Sequence, residues 1–163
     1  MFSNQHKKQN RSGVMDKTNL KILRILQKKA RIPNVEVSRL INLAPSAVLE
    51  RIRKMEKQGV IDGYEVRLNP ERFGYSQVSF IQIHLAPESD HQQAADLLSA
   101  RPEILEVHFV AGEDCFLIKT RTANTGQLST LLQELATAIN GIKTTRTFVV
   151  LSTHKETAQI PLD

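Results

Sequence analysis

Two short helical patterns joined by a tight turn, within residues 30–59, constrain this chain more than any other feature. The first runs over Asn34–Ile41 and the second over residues 45–58, with Asn42-Leu43-Ala44 between them. Pro45 restarts the chain as a helix, because its fixed φ suits a first helical turn. The second pattern carries Arg51, Arg53, Lys54 and Lys57. This layout is that of a helix-turn-helix, whose second helix lies in a DNA major groove. It points to a polymer partner, double-stranded DNA, rather than to a chemical reaction.

The distribution of charge points the same way. Residues 1–60 hold 14 Lys+Arg and 4 Asp+Glu, a formal +10, whereas residues 61–163 hold 8 and 13, a formal −5. A basic half joined to an acidic half implies that the first meets a polyanion and the second does not. Cys115 is the one cysteine of the chain, which excludes an internal disulfide. The basic start, with Lys7, Lys8 and Arg11, is not followed by an apolar run, so no signal peptide is expected. No stretch reaches the roughly 18 apolar residues of a membrane span. The expected setting is cytoplasmic, with no membrane partner.

Residues 1–14 are expected to form a disordered basic tail. Asp16 is the expected N-cap of a first helix, whose apolar face uses Leu20, Leu23, Ile25, Leu26 and Ala30. The next helix is expected to bury Val37, Leu40 and Ile41. The third buries Val48, Ile52 and Met55, spaced four and three apart on one stripe, and ends at Gly59. None of these helices can bury a face alone, so the three share one small core over residues 15–60. Residues 60–68 change period and alternate from Tyr64 onward, which predicts a strand. Asp62-Gly63 is either a hairpin turn, and hence a small wing, or a kink in a linking strand. Asn69-Pro70 opens one short helical turn that stops at Gly74. Residues 61–76 are thus the linker.

From Gln77 the pattern is strand, helix, strand, strand, helix, strand, over residues 77–155, with a tail at 156–163. That order predicts a ferredoxin-like βαββαβ sandwich, an antiparallel sheet with two helices on one face, and the whole chain is α+β. Val78 and Phe80 fall on one side of the first strand, and Ile81, Ile83 and Leu85 on the other. Both sides are apolar, so a second copy covering the open side is the economical arrangement.

Several segments together carry a family resemblance. They are Met15-Asp16, Ile22-Leu23, Leu26-Gln27 and Ala30-Arg31-Ile32, then residues 43–48 (Leu-Ala-Pro-Ser-Ala-Val), Arg51-Ile52 and Glu56. Residues 59–64 (Gly-Val-Ile-Asp-Gly-Tyr), Leu68-Asn69-Pro70, Gly74-Tyr75, Pro102-Glu103, residues 110–114 (Val-Ala-Gly-Glu-Asp) and Thr145-Arg146-Thr147 continue the series. In this order and spacing the chain resembles the Lrp/AsnC family of transcription regulators, also called feast/famine regulatory proteins, over residues 15–155. The resemblance implies an N-terminal winged-type helix-turn-helix and a C-terminal effector-binding domain. It also implies homodimers formed through the C-terminal sheets, which assemble further into tetramers or octamers. An amino acid would bind at subunit interfaces near the loop after the second strand, and so alter assembly or DNA affinity.

The resemblance places Ser46, Ala47 and Glu50 against base edges, and Arg51, Arg53, Lys54 and Lys57 against phosphate or guanine. Arg51 also fits a structural role at a helix–helix contact. For an isolated basic helix the simpler alternative is a solvated face, with Glu50–Lys54 and Arg53–Lys57 merely at i,i+4 spacing. The effector region implied is Gly112, Glu113, Asp114, Cys115 and Phe148, set against the plainer alternative of a tight hairpin turn with exposed acids. The chain departs from the family in three places. Pro33-Asn34 replaces a Ser or Thr before the second helix, where Asn34 can take over the cap. Ala44 stands where a Ser commonly caps the recognition helix, a loss of about 1 kcal/mol. The 112–116 loop is one residue shorter than the common form.

Two other functions compete. Some AsnC-like proteins decarboxylate a haem precursor, a chemistry that would use His84 or His108; an unused DNA reader would not need the +10 half. The second is a protein that organises DNA without an effector. No Cys/His zinc cluster, Gly-rich phosphate loop or serine elbow is present, so neither metal nor cofactor is expected, and no enzymatic activity.

Overall fold

The computed structural model of the chain describes residues 15–162, so the basic tail expected over residues 1–14 lies outside it. The described chain forms two compact units. One holds the residues through Val66 together with those from Thr157 on, and the other is Arg67–Glu156.

The first unit contains helices α1 (Lys17–Lys28), α2 (Asn34–Ile41) and α3 (Pro45–Lys57). Asp16 caps α1 through its carboxylate, which accepts from the Asn19 N–H at 2.6 Å. The buried face of α1 is Ile22, Leu23 and Leu26. Ile22 is fully buried although the expected face omitted it, and Ala30 is exposed. Helix α2 buries Val37 and Ser38, while Leu40, expected inside, is 66% exposed. The reason is geometric. Val37, Ser38 and Ile41 span one arc at 100° per residue, and Leu40 lies about 100° off its centre. Ser38 is tolerated inside because its hydroxyl donates to the Val35 carbonyl at 2.7 Å.

Asn34 is the first residue of α2, not its cap. Pro33 holds the cap position, and no side chain bonds the free N–H groups there. The turn between α2 and α3 closes at Asn42, which adopts the left-handed conformation at φ 56°. The Leu43 N–H then donates back to the Ser38 carbonyl at 3.0 Å. Ala44 caps α3 with no side-chain bond and Pro45 follows at N1. Val48, Ile52 and Met55 turn inward as one stripe and complete the core with Ile22, Leu23, Leu26 and Val37. Gly59, at φ 67°, ends α3 in the conformation that glycine adopts at no steric cost.

The strand expected over residues 60–68 is not formed, and neither is a hairpin at Asp62-Gly63. Alternation of apolar and polar residues permits a strand, but a strand exists only where its N–H and C=O groups find a ladder partner. None is offered to this segment among the described residues, and Val66 is 79% exposed. Two of its side chains are tied: the Tyr64 hydroxyl donates to Glu56 Oε1 at 2.9 Å, and Arg67 Nη2 donates to the Glu156 carbonyl at 3.2 Å. Burial, then this bond to a carboxylate, push the Tyr64 hydroxyl up to about 12.

The second unit begins with a 3₁₀ turn, Pro70–Phe73, capped by Asn69 and stopped at Gly74. It continues as β1 (Gln77–Leu85), α4 (His91–Ser99), β2 (Ile104–Val110), β3 (Cys115–Thr122), α5 (Thr125–Ala138) and β4 (Ile142–Val149). The sheet order is β2-β3-β1-β4 with every pair antiparallel. Ile81 and Ile83 of β1, with Phe116 and Ile118 of β3, pack under Ala94 and Leu98 of α4 and Leu128, Leu131 and Leu135 of α5. The register puts Val78 opposite Arg121, and Phe80 opposite both Lys119 and Phe148. The other sheet face therefore mixes apolar side chains with cations. Lys119 and Arg121 on that face pair with Glu156, and Lys119 also with Glu106.

Candidate DNA-reading helix and effector region

The buried stripe of α3 decides what its other side presents. Ser46, Glu50, Arg53, Lys54 and Lys57 are exposed, and Ala47 is half-buried. Among the described residues no ion pair engages Glu50, Arg53, Lys54 or Lys57. The expected solvated-face pairing of Glu50 with Lys54 is thus not made, and three cations stand free on one helix. Arg51 differs. Its Nη1 donates to Asp16 Oδ2 at 2.5 Å and to Asn19 Oδ1 at 2.9 Å, which fastens the middle of α3 to the start of α1. The Asn19 N–H bond to Asp16 comes first, then the Arg51 guanidinium, in holding this carboxyl below its ordinary range. Sequence alone marked Arg51 as a candidate for two roles; the acceptors lie 35 and 32 residues upstream, beyond any local pattern.

At the other site, Gly112, Glu113 and Asp114 form the exposed turn between β2 and β3, with φ 94° at Gly112 and 45° at Asp114. A side-chain carbon at Gly112 would meet nothing within 4 Å, so glycine serves the backbone angle there rather than a close approach. Cys115 is buried beside Val110 in the register, and burial, then Glu113 and Asp114, push its thiol up. That environment disfavours a reactive thiolate. His84 stands one step beyond the Ile83–Phe116 pair, with its Nε2 3.9 Å from Glu113. Phe148 sits elsewhere. It pairs with Phe80, four residues from His84 along β1, which is roughly 13 Å in a strand. A single chain therefore gathers Gly112, Glu113, Asp114 and Cys115 but does not bring Phe148 to them. His108 lies on β2, 3.5 Å from Glu106. No group of three or more His, Cys, Asp or Glu among the described residues could hold a metal ion.

One feature escaped the sequence patterns. An open cleft of about 270 Å³ is lined by Ala86, Ser89, Asp90, Leu97, Asn140 and Gly141, among others. It lies between the β1–α4 and α5–β4 connections, which carry no periodicity to signal it.

Residues 78–160 match the model of the Lrp/AsnC ligand-binding domain, and residues 15–62 match that of a winged helix-turn-helix DNA-binding domain. The chain belongs to the Lrp/AsnC family. It is 35% identical to the HTH-type transcriptional regulator FL11 of Pyrococcus furiosus over 150 residues, 92% of this chain and 98% of the relative. Its fold superposes on a transcriptional regulator of Neisseria meningitidis, solved as an L-methionine complex, with a TM-score of 0.86 and 28% identity, covering 91% of this chain and 97% of the other. It also superposes on the feast or famine regulatory protein of M. tuberculosis complexed with L-methionine, with a TM-score of 0.82 and 30% identity, covering 90% and 98%. This Lrp/AsnC protein is a DNA-binding transcriptional regulator with a C-terminal ligand-binding domain. The competing reading, a haem-precursor decarboxylase, finds no support in these likenesses. No helix among the described residues is long and apolar enough to cross a membrane.

Proposed function

We propose that α3 reads duplex DNA with Ser46, Ala47 and Glu50 at base edges and Arg53, Lys54 and Lys57 at phosphate or guanine. Arg51 serves this reading from behind, by fixing the pitch of α3 against α1. The observation that carries the reading is the free, one-sided set of cations on α3, opposite its buried stripe. A single short helix makes few base contacts, so tight binding needs two copies on a repeated site. The half-apolar open sheet face supports a homodimer, and further assembly follows from the family.

The same reading places an amino acid in the second unit, beside Gly112, Glu113, Asp114 and Cys115, where a carboxylate can hold an α-ammonium group. Phe148 joins this site from a second copy. The L-methionine bound by the two structural relatives makes that amino acid the first to test. The ligand acts by binding one assembly state more tightly, since only differential affinity shifts DNA occupancy. The protein works as a cytoplasmic regulator without catalytic activity of its own, a reading supported by relatives that are transcription regulators.

A thermal-shift panel of the twenty amino acids on the purified protein tests the sensing half. A ligand at about 100 times its Kd adds about 2.7 kcal/mol to stability. A panel with no shift in melting, assembly or DNA affinity sinks it and favours an effector-independent DNA organiser.

A further inference from the structure

The last residues of the chain return to the first unit and seat along α1. The side-chain amide of Gln27 makes two bonds to one residue: the Ile160 N–H donates to Gln27 Oε1 at 2.9 Å, and Gln27 Nε2 donates to the Ile160 carbonyl at 3.2 Å. The Gln159 side chain donates to the Gln27 carbonyl at 2.8 Å. Arg24 points both Nε (2.8 Å) and Nη2 (2.5 Å) at the Leu162 carbonyl. Leu162 is half-buried against the three-helix core.

This pattern is specific for an extended peptide. In an extended chain the N–H and C=O of one residue point the same way, and a glutamine amide offers one acceptor and one donor to match them. The arrangement is a single rung of a β-ladder built from a helix side chain. The other end of the same segment is held differently. Glu156 belongs to the second unit, where its carboxylate pairs with Lys119 and Arg121 and its carbonyl accepts from Arg67 at 3.2 Å. Lys119 and Arg121 are largely buried, with side chains 13% and 18% exposed, so Glu156 is an anchored position and not a trailing end.

We propose that residues 157–162 are a docking peptide for the flank of α1 formed by Arg24 and Gln27, and that anchored Glu156 makes this segment a second tie, after the linker, between the ligand-binding and DNA-binding units. The tail is thereby a working part of the DNA-binding unit, although the whole second unit separates it from α1 in sequence. The proposal does not depend on which ligand or operator the protein uses.

Hydrogen exchange read by mass spectrometry on the full chain tests it without DNA or ligand. The amides of Gln159 and Ile160, which donate to Thr157 Oγ1 and Gln27 Oε1, are expected to be protected in the unaltered protein. Gln27→Ala removes both bonds to Ile160 and raises exchange there roughly tenfold, while peptides from β1 and β3 stay unchanged. Gln27→Glu keeps the acceptor and loses the donor, and falls between the two. Glu156→Gln weakens the anchor and raises exchange in residues 157–162 and in α1. Unprotected tail amides in the unaltered protein overturn the docking. A protected tail indifferent to Glu156→Gln overturns the tie. Protection that grows with protein concentration assigns the seat to a second copy's tail and overturns docking within one chain.

Discussion

Arg51 Nη1 lies 2.5 Å from Asp16 Oδ2, joining the recognition helix to the cap of the first helix. One side chain thus serves the end of α1 and the pitch of α3 together. Both groups are partly exposed, so solvent screens the pair and its own contribution to stability is small. Arg51→Ala is expected to lower the melting temperature of the protein and leave the salt dependence of DNA binding unchanged. Loss of about one unit of salt slope with no change in melting would assign Arg51 to phosphate instead.

The pH dependence follows from Asp16. Its carboxyl is held below the ordinary value, by the Asn19 N–H first and by Arg51 second. A depressed carboxylate contributes stability that is present above its unfolded value and lost as pH falls through the folded one. The first unit is therefore expected to weaken below about pH 4, near the unfolded value of an aspartate. Acid titration followed by circular dichroism should show a shallower loss in Asp16→Asn than in the unaltered protein; superimposable curves refute the assignment.

Ala44 holds the N-cap of α3 at φ −69° and ψ 141°, extended backbone that a serine adopts without strain. Ala44→Ser supplies the missing acceptor for a free N–H in the first turn. The gain expected is about 1 kcal/mol, measured by denaturant midpoint at constant slope. An unchanged midpoint would mean that the first turn of α3 already finds other partners.

Gly141 is the glycine with the least room. Its φ is 83°, and a side-chain carbon there would sit 2.0 Å from Ser89 Oγ and 3.3 Å from Ser89 Cβ. Its carbonyl also accepts from the Ala86 N–H at 2.7 Å, so the backbone cannot easily move away. Gly141→Ala is expected to cost about 2 kcal/mol or more, against about 1 kcal/mol for Gly112→Ala, where only the backbone angle is strained. Equal costs in thermal denaturation would contradict this difference.

What the sequence made legible depends on how local each cause is. Val48, Ile52 and Met55 were readable because helical spacing alone brings them to one stripe, and Asp16 because a cap acts three residues away. The βαββαβ order was readable because each crossover announces itself by a change of period. Leu40 was misplaced because an eight-residue helix fixes its buried arc with only three residues, and the polar Ser38 shifted that arc. Residues 60–68 show the alternation of a strand, yet pairing depends on a partner that alternation does not specify. Phe148 fell away from the 112–115 turn because register, not sequence position, sets which strand residues meet. The seat of residues 157–162 on α1 was invisible, since it rests on side-chain amides and carbonyls more than 130 residues apart.

The central claim is that the free cations of α3 meet DNA phosphate or guanine, and a salt titration tests it most directly. Binding to a duplex carrying the protein's operator is measured by fluorescence anisotropy over a range of salt, for the unaltered protein, Arg53→Ala and Lys54→Ala. Each substitution is predicted to weaken binding and to lower the slope of log affinity against log salt by about 1. Slopes that match the unaltered protein in both variants would contradict the account.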